Sequence, residues 1–195
     1  MLWKGDFFMK KKNSSKIALF GSVRALTAAA MLTAMSVVIG IICKNFLNVG
    51  NGLFRITFEN FPIILSGIMF GPVVGGITGI ATDLISYFLS QQTFAPNFIV
   101  MFGAMMVGVI SGVFSHYVFR KKGYLRLIIP GILAHVVSSM IIKTIGLFSY
   151  YGWAVLVRIP LYVAIASVEI ALICLIYRNP TIRKLIDGGV DNELR

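Results

Sequence analysis

The chain has 195 residues, of which 57% are hydrophobic and 13% charged, with a formal net charge of +11. Soluble domains carry roughly a quarter charged residues, so this composition, with a mean hydropathy of +0.87, excludes an ordinary soluble domain. The positive charge does not indicate nucleic acid either. Of the 18 Lys and Arg, all but Lys44, Arg55, Lys143 and Arg158 fall in three clusters, Lys4–Arg24, Arg120–Arg126 and Arg178–Arg195, and basic clusters flanking apolar runs set membrane topology.

A helical span needs about 20 residues, which leaves room for about six spans with short loops. Residues 1–21 form a basic segment. A Lys-rich start before an apolar run also resembles a signal peptide, but the run from Ala25 to Cys43 is long for one. The reading is an uncleaved first helix, Val23–Cys43.

A loop over 44–58 follows, with strand-like alternation at Phe54-Arg55-Ile56-Thr57-Phe58. The second helix, Glu59–Phe70, is short, about 18 Å at the rise of an α-helix. Gly71-Pro72 breaks the chain, and Pro suits the first turn of the next helix. The third helix runs Pro72–Leu89, the fourth Asn97–Phe119, the fifth Leu125–Phe148 and the sixth Ala154–Tyr177, with an aromatic turn at Tyr150–Trp153. The expectation is an all-α membrane protein, a six-transmembrane-helix bundle over residues 22–180. Residues 181–195 form a polar tail. An even span count and the positive-inside rule both place the N and C termini in the cytoplasm.

Asp83, Lys143, Arg158 and Glu169 lie inside these apolar stretches. A charge near the bilayer centre costs about 2.5–3.5 kcal/mol even on lenient scales, and usually faces a partner, a wet cavity or a ligand. In the fifth helix, His135, Ser139 and Lys143 recur every four residues and share a face. In the sixth, Arg158, Tyr162 and Glu169 are 4 and 7 apart and again share a face. Arg158 and Glu169 are about 16 Å apart along the axis, too far to pair directly. In the third, Asp83 and Tyr87 share a face, beside Thr82, Ser86 and Ser90. The loops add Arg55, Gln91, Gln92, Phe94, Asn97 and Phe98. Cations and ring faces together suit a flat aromatic molecule with an anionic tail. The bland readings are that Lys143 and Arg158 snorkel to the interface, that Asp83 pairs with a cation, and that the Phe series faces core or lipid. His135 and His116 read more readily as buried hydrogen-bond donors than as ligands.

The first helix carries Ala25, Ala29, Ala30 and Ala34, whose i, i+4 spacing lets another helix approach closely. It brings little polar side chain, so its Ala surface is the expected docking face for another membrane subunit. Gly71, Gly75 and Gly79, and Gly108 with Gly112, have the same spacing and read as internal packing. Cys43 and Cys174 are isolated thiols with no metal-like spacing. The sequence contains no nucleotide-binding or metalloprotease motif and no metal cluster, so no catalytic, metal or cofactor residues are expected, and no evident means of consuming ATP.

The Ala-rich AAMLTAMSVV and the stretch LFRITFENFPIILSGIMFGPVVGGITGIATDLISYFL resemble the substrate-binding S components of energy-coupling factor (ECF) vitamin transporters. The Phe-Gly-Pro-x-x-Gly turn followed by Asp in the third helix is shared by several branches. The Arg55 segment, Arg-Ile-x-Phe-x-x-Phe-Pro-Ile-Ile, is most similar to the folate-specific branch. Residues 92–98, Gln-Thr-Phe-Ala-Pro-Asn-Phe, resemble the family's third loop but lack the commoner Gly after Pro. The likeness covers residues 22–180. It implies an outward-facing vitamin site capped by the first and third loops. It further implies docking through the Ala motif onto a transmembrane coupling (T) component with two ATPase subunits, and a binder that tips over in the membrane to deliver its cargo. The substrate-binding candidates are then Arg55, Asp83, Tyr87, Phe94, Asn97, Phe98, Lys143 and Arg158, with pterin among the aromatic groups and the glutamate tail at the cations. Open alternatives are an S component for another vitamin (thiamine, riboflavin or pantothenate), a membrane enzyme using Asp83 and Glu169 as acid and base, and a structural membrane subunit.

Overall fold

The structure, a computed structural model, describes residues 23–49, 54–89, 97–119, 123–184 and 186. The basic start, the loop over 90–96 with Gln91, Gln92 and Phe94, and the last nine residues lie outside the described residues, as does the Arg55 side chain.

The described residues are almost entirely helical. The helices are α1 (Val23–Phe46), α2 (Asn60–Leu89), α3 (Phe98–Val113), α4 (Leu125–Ala134), α5 (Lys143–Tyr151) and α6 (Arg158–Tyr177). Between α1 and α2 a two-residue antiparallel pair, β1 (Asn48–Val49) and β2 (Phe54–Arg55), aligns Asn48 with Arg55. The alternation seen in this loop thus becomes a minimal hairpin rather than a strand of any length.

Among the described residues, four continuous helical stretches are long and apolar enough to cross a membrane: Ala25–Phe46, Asn60–Leu89, Phe98–Val118 and Leu125–Tyr177. Two of them double back. In α2, Gly71 sits at φ 87°, ψ 176°, outside the helical region, a conformation open to glycine because it has no Cβ. Pro72 then restarts the helix without needing an amide partner. Ser66 and Thr78 hydroxyls meet at 2.9 Å across this break, whereas twelve residues of straight helix would separate them by about 18 Å. The expected break at Gly71-Pro72 is therefore a helical hairpin.

The second reversal is at Gly152, φ 55°. Here α5 ends at Tyr151, a 3-10 turn spans Gly152–Val157, and α6 begins at Arg158. The expected start of the last helix at Ala154 is corrected by this turn. The helix from Leu125 is also not uniform. Pro130 removes the amide that would bond the Arg126 carbonyl, and from His135 to Ile142 the backbone is π-helical. A wider turn of this kind is rare and changes which neighbour each side chain meets.

Contacts fix the two ends of the bundle. One end gathers Gly71, the π-helical turn Phe114–Val118, Tyr124 stacked edge-on against Tyr177 at 5.2 Å, and Arg126, which donates to Ser115 Oγ (3.0 Å) and to the Ile186 carbonyl (3.2 Å). The other gathers the C-terminal turn of α1, the starts of α2, α3 and α6, and the end of α5. The core between them is Ile63, Ile64, Ile68, Val107, Leu127 and Ile173, all buried. Large apolar residues also face outward on every long helix, Phe46, Phe88 and Trp153 among the most exposed, as expected where the surrounding solvent is lipid.

Between the two halves of α2 and α3 the backbones touch. A Cβ on Gly75 would lie 2.6 Å from Gly67 Cα and 2.7 Å from the Gly108 carbonyl oxygen, and one on Gly112 would lie 2.5 Å from Pro72 N. These glycines let three helical segments pack without side chains between them, which is the internal packing expected of the spacing.

Candidate functional site

Lys143 opens α5 and is 7% exposed. Its ammonium donates to Asn60 Oδ1 at 3.0 Å and lies 3.9 Å from Glu59 Oε1. Two glycines shape this pairing. A Cβ on Gly103 of α3 would lie 2.8 Å from Lys143 Cγ, so the bare glycine admits the lysine stem. A Cβ on Gly40 of α1 would lie 2.8 Å from Glu59 Oε2. Ser36, one turn before Gly40, donates its hydroxyl to the Glu59 carbonyl at 2.5 Å. One turn after, Lys44 reaches the Ser86 carbonyl at 3.5 Å. The face Ser36–Gly40–Lys44 thus fastens α1 to both halves of α2.

Next to this group, His135 Nε2 meets Glu169 Oε2 at 2.7 Å, with side chains 1% and 0% exposed. The π-helical stretch accounts for the divergence between His135 and Lys143. His135, at its start, faces α6, whereas Lys143, just past its end, faces the head of α2. The shared face expected of an unbroken α-helix does not hold. Ser138 and Ser139, inside the same stretch, are fully buried. Arg158, buried at the start of α6, places its guanidinium 5.0 Å from the centre of the Tyr151 ring, a cation–π contact.

The other sequence candidates are placed differently. Asp83 and Tyr87 are half-buried on α2, with Tyr87 edge-on to Phe88 at 5.7 Å. Asn97 has both polar atoms engaged. Its Oδ1 accepts from the Ile99 and Val100 amides (3.0 and 3.4 Å), capping α3, and its Nδ2 donates to the Gly146 carbonyl at 2.6 Å. Phe98 is 73% exposed on the outer surface of the bundle, away from the charged cluster. Phe94 and the Arg55 side chain lie outside the described residues.

Sequence reasoning missed Glu59 and Asn60, which looked like a helix start. Their signal was nonetheless present, since Glu59 is the only carboxylate between Asp6 and Asp83. It also missed the partner of Glu169. His135 and Glu169 are equidistant in sequence from Gly152, which is the condition for meeting across an antiparallel hairpin.

On α1, Ala29, Ala30 and Ala34 line a groove of about 540 Å³ shared with Val74, Ile77 and Ala81 of α2. Ala29 is buried, Ala25 half-buried, and Ala30 and Ala34 exposed. The groove's two hydroxyls are used internally, Thr33 by the Ala29 carbonyl and Thr78 by Ser66, so its wall is apolar.

Apolar helices on a glycine-packed frame, with Lys143, His135, Glu169 and Arg158 buried among them, fit an integral membrane protein. Residues 24–186 match the family model described as ECF transporter, substrate-specific component, and the chain belongs to that family. That family is a transporter component rather than an enzyme family. The chain is 29% identical over 123 residues to the folate transporter FolT of Clostridium novyi (strain NT), covering 63% of this chain and 69% of that one. It is also 29% identical over 119 residues to an uncharacterized MG098 homolog of Mycoplasma pneumoniae (strain ATCC 29342 / M129 / Subtype 1), covering 55% of this chain and 23% of that relative. A crystal structure of FolT bound with folic acid superposes with a TM-score of 0.61 at 23% identity, over 77% of this chain and 90% of that one. At that identity the likeness is one of fold.

Proposed function

We propose that this chain is a high-affinity folate-binding S component of an ATP-driven importer, taking folate from the outside of the cell membrane. The observation that carries this reading is Arg158. It is a buried guanidinium on an aromatic ring at one end of an apolar bundle, in a family whose relative FolT is a folate transporter. Carboxylates take bidentate bonds from arginine, so Arg158, with Arg55 on the loop, meets the glutamate tail. Lys143, already held by Asn60 and Glu59, sets the local charge. Tyr87, Phe94 and Asp83 receive the pterin. Asn97 and Phe98 support the site rather than touch its ligand.

In this reading the chain crosses the membrane six times, turning at Gly71 and Gly152, with the three basic clusters and both termini in the cytoplasm; the positive-inside rule supports it. The exposed Ala30 and Ala34, with Ala25 and Ala29, are the docking face for a transmembrane T component carrying two ATPase subunits. Titration of the purified chain with folate tests the substrate. Saturable binding is expected, weakened in Arg158→Lys. Stabilisation by thiamine, riboflavin or pantothenate and not by folate, in a thermal-shift panel, overturns it. Co-purification with a T component, lost in Ala30→Trp or Ala34→Trp, tests the docking face.

A further inference from the structure

We infer that the end of the described chain, 178–184 with Ile186, is an anchored amphipathic strap whose basic face binds the headgroups of anionic phospholipids at the membrane surface. Local chemistry builds the strap. Pro180 cannot extend α6, because it has no amide to bond back. Asn179 Oδ1 accepts from the Thr181 amide at 3.0 Å, and the Arg183 amide donates to the Asn179 carbonyl at 2.9 Å. A new helical turn therefore starts at once, with Pro180 in its first position. Ile182 and Ile186, four apart, share its inner face. Ile186 is fully buried, and Ile182 packs against the same core.

The strap is fastened down. Arg126, itself buried, donates to the Ile186 carbonyl and to Ser115 Oγ. The Arg183 guanidinium lies 5.5 Å from the centre of the Tyr177 ring, and Tyr124 meets that ring edge-on. Burying a guanidinium is costly unless it is well hydrogen-bonded, and what this one secures is the position of one short helical turn. The outward side of that turn carries Arg183 and Lys184, with Arg178 just before it, all three exposed. The sequence holds no carboxylate between Asp83 and Glu169, nor between Glu169 and Asp187. Neither α3, its π-helical end, α4 nor the last two turns of α6 therefore brings an acid to this end. In sequence, Arg120, Lys121 and Lys122 precede Tyr124, and Asp187, Asp191 and Glu193 follow Ile186; these six lie outside the described residues. The described face is positive.

Position selects the partner. The strap begins where the last apolar stretch, Leu125–Tyr177, ends, which is the headgroup level for a spanning helix. Tyr117 and Tyr124 are exposed at the same end, and amphipathic rings collect at that level. Leu175, three residues before Arg178 and also exposed, presents apolar surface one turn deeper, where an acyl chain lies. A positive face above an apolar one matches a phosphate headgroup on its tails, which a soluble anion does not supply. Each basic residue near an anionic lipid surface strengthens attachment about fivefold. The inference depends neither on the vitamin nor on which side of the membrane this end faces.

The test melts the full chain in nanodiscs of phosphatidylcholine, or of an equimolar mixture with phosphatidylglycerol, beside the Arg178→Gln/Lys184→Gln variant. Both replaced side chains are exposed, and Arg183 stays on its ring. A ligand that binds the folded state alone stabilises it. The wild type is expected to melt higher in the anionic discs, by a margin that shrinks as salt is raised. The variant is expected to match the wild type in phosphatidylcholine and to lose most of the anionic gain. Equal melting of the wild type in both lipids overturns the proposal. A full gain in the variant overturns it too, because the lipid then acts through other basic clusters. Glycerol phosphate added to the phosphatidylcholine discs is expected to give no gain; a gain equal to the lipid's makes this a site for a soluble anion and overturns the lipid assignment. If the double variant is unstable in phosphatidylcholine as well, Lys184→Gln decides. Native mass spectrometry of that variant in neutral detergent is expected to show phosphatidylglycerol binding weakened about fivefold relative to phosphatidylcholine, and an unaltered lipid preference overturns the proposal.

Discussion

The glycine seam and the charged cluster hold the same helices together by opposite means. In the seam, α2 and α3 lie backbone to backbone, and Gly67, Gly75, Gly108 and Gly112 leave no room for a methyl group. Its stability is geometric, from close packing and dispersion, and is indifferent to pH or ligand. In the cluster, Lys143, Glu59, Asn60, His135 and Glu169 come from four different places in the chain and are held by charge balance. The seam is rigid by construction. The cluster depends on charged and polar contacts, which makes it the region able to respond to an ion or an acidic solute.

The sharpest way to break this contrast is to remove one charge. Lys143→Met removes the ammonium that donates to Asn60 and lies 3.9 Å from Glu59, and removing one partner of a buried pair costs about 3–5 kcal/mol. A large drop in melting temperature in detergent is expected, with much of it restored by adding Glu59→Gln. No rescue by the second change would mean that the lysine stem, packed against Gly103, matters more than its charge. The seam predicts a different signature. Gly108→Ala drives a methyl group into the Gly75 backbone, and overpacking of this kind costs about 1–3 kcal/mol. The loss is expected to be the same at every pH and with or without folate. A ligand-dependent loss would show that the two regions are coupled.

These two regions also differ in how much of them could be read from the sequence. The seam was legible, because Gly at i, i+4 in an apolar run has few other uses, and the break at Gly71-Pro72 follows from backbone sterics. The cluster was half legible. Lys143, Arg158 and Glu169 announced themselves as charges in apolar stretches, but their partners did not. Pairing depends on the axial rotation of each helix, and the π-helical stretch at His135–Ile142 turns Lys143 away from the face that a regular period assigns to it. Nothing in the local composition of that stretch signals the wider turn. Glu59 was overlooked for a related reason, since a helix-start residue is normally solvated and here points at Lys143.

Arg158→Lys is the gentler probe of the cluster's outer edge. The positive charge stays while the planar fork and its stacking on Tyr151 go. Folate affinity is expected to fall about tenfold, or about 1.4 kcal/mol, with little change in melting temperature. A change in stability with unaltered affinity would place Arg158 in the frame rather than at the ligand.

The smallest expected effect falls where the two regions meet. Asn97 caps α3, a seam helix, with its Oδ1, and with its Nδ2 holds the Gly146 carbonyl of α5, the helix that carries Lys143. Replacing a capping Asn by Ala costs about 1 kcal/mol. Asn97→Asp separates the two roles, because a carboxylate still caps the helix and cannot donate to Gly146. If Asn97 is only a cap, Asp restores the melting temperature and folate affinity is unchanged throughout. If the Gly146 bond registers α5 against the seam, Asp restores part of the stability while affinity stays reduced, because α5 is then free to carry Lys143 away from Asn60. The second outcome is expected: the 2.6 Å bond to Gly146 is the shortest of the three contacts, and Gly146 packs against Ile99 and Val100, the residues whose amides the same side chain caps.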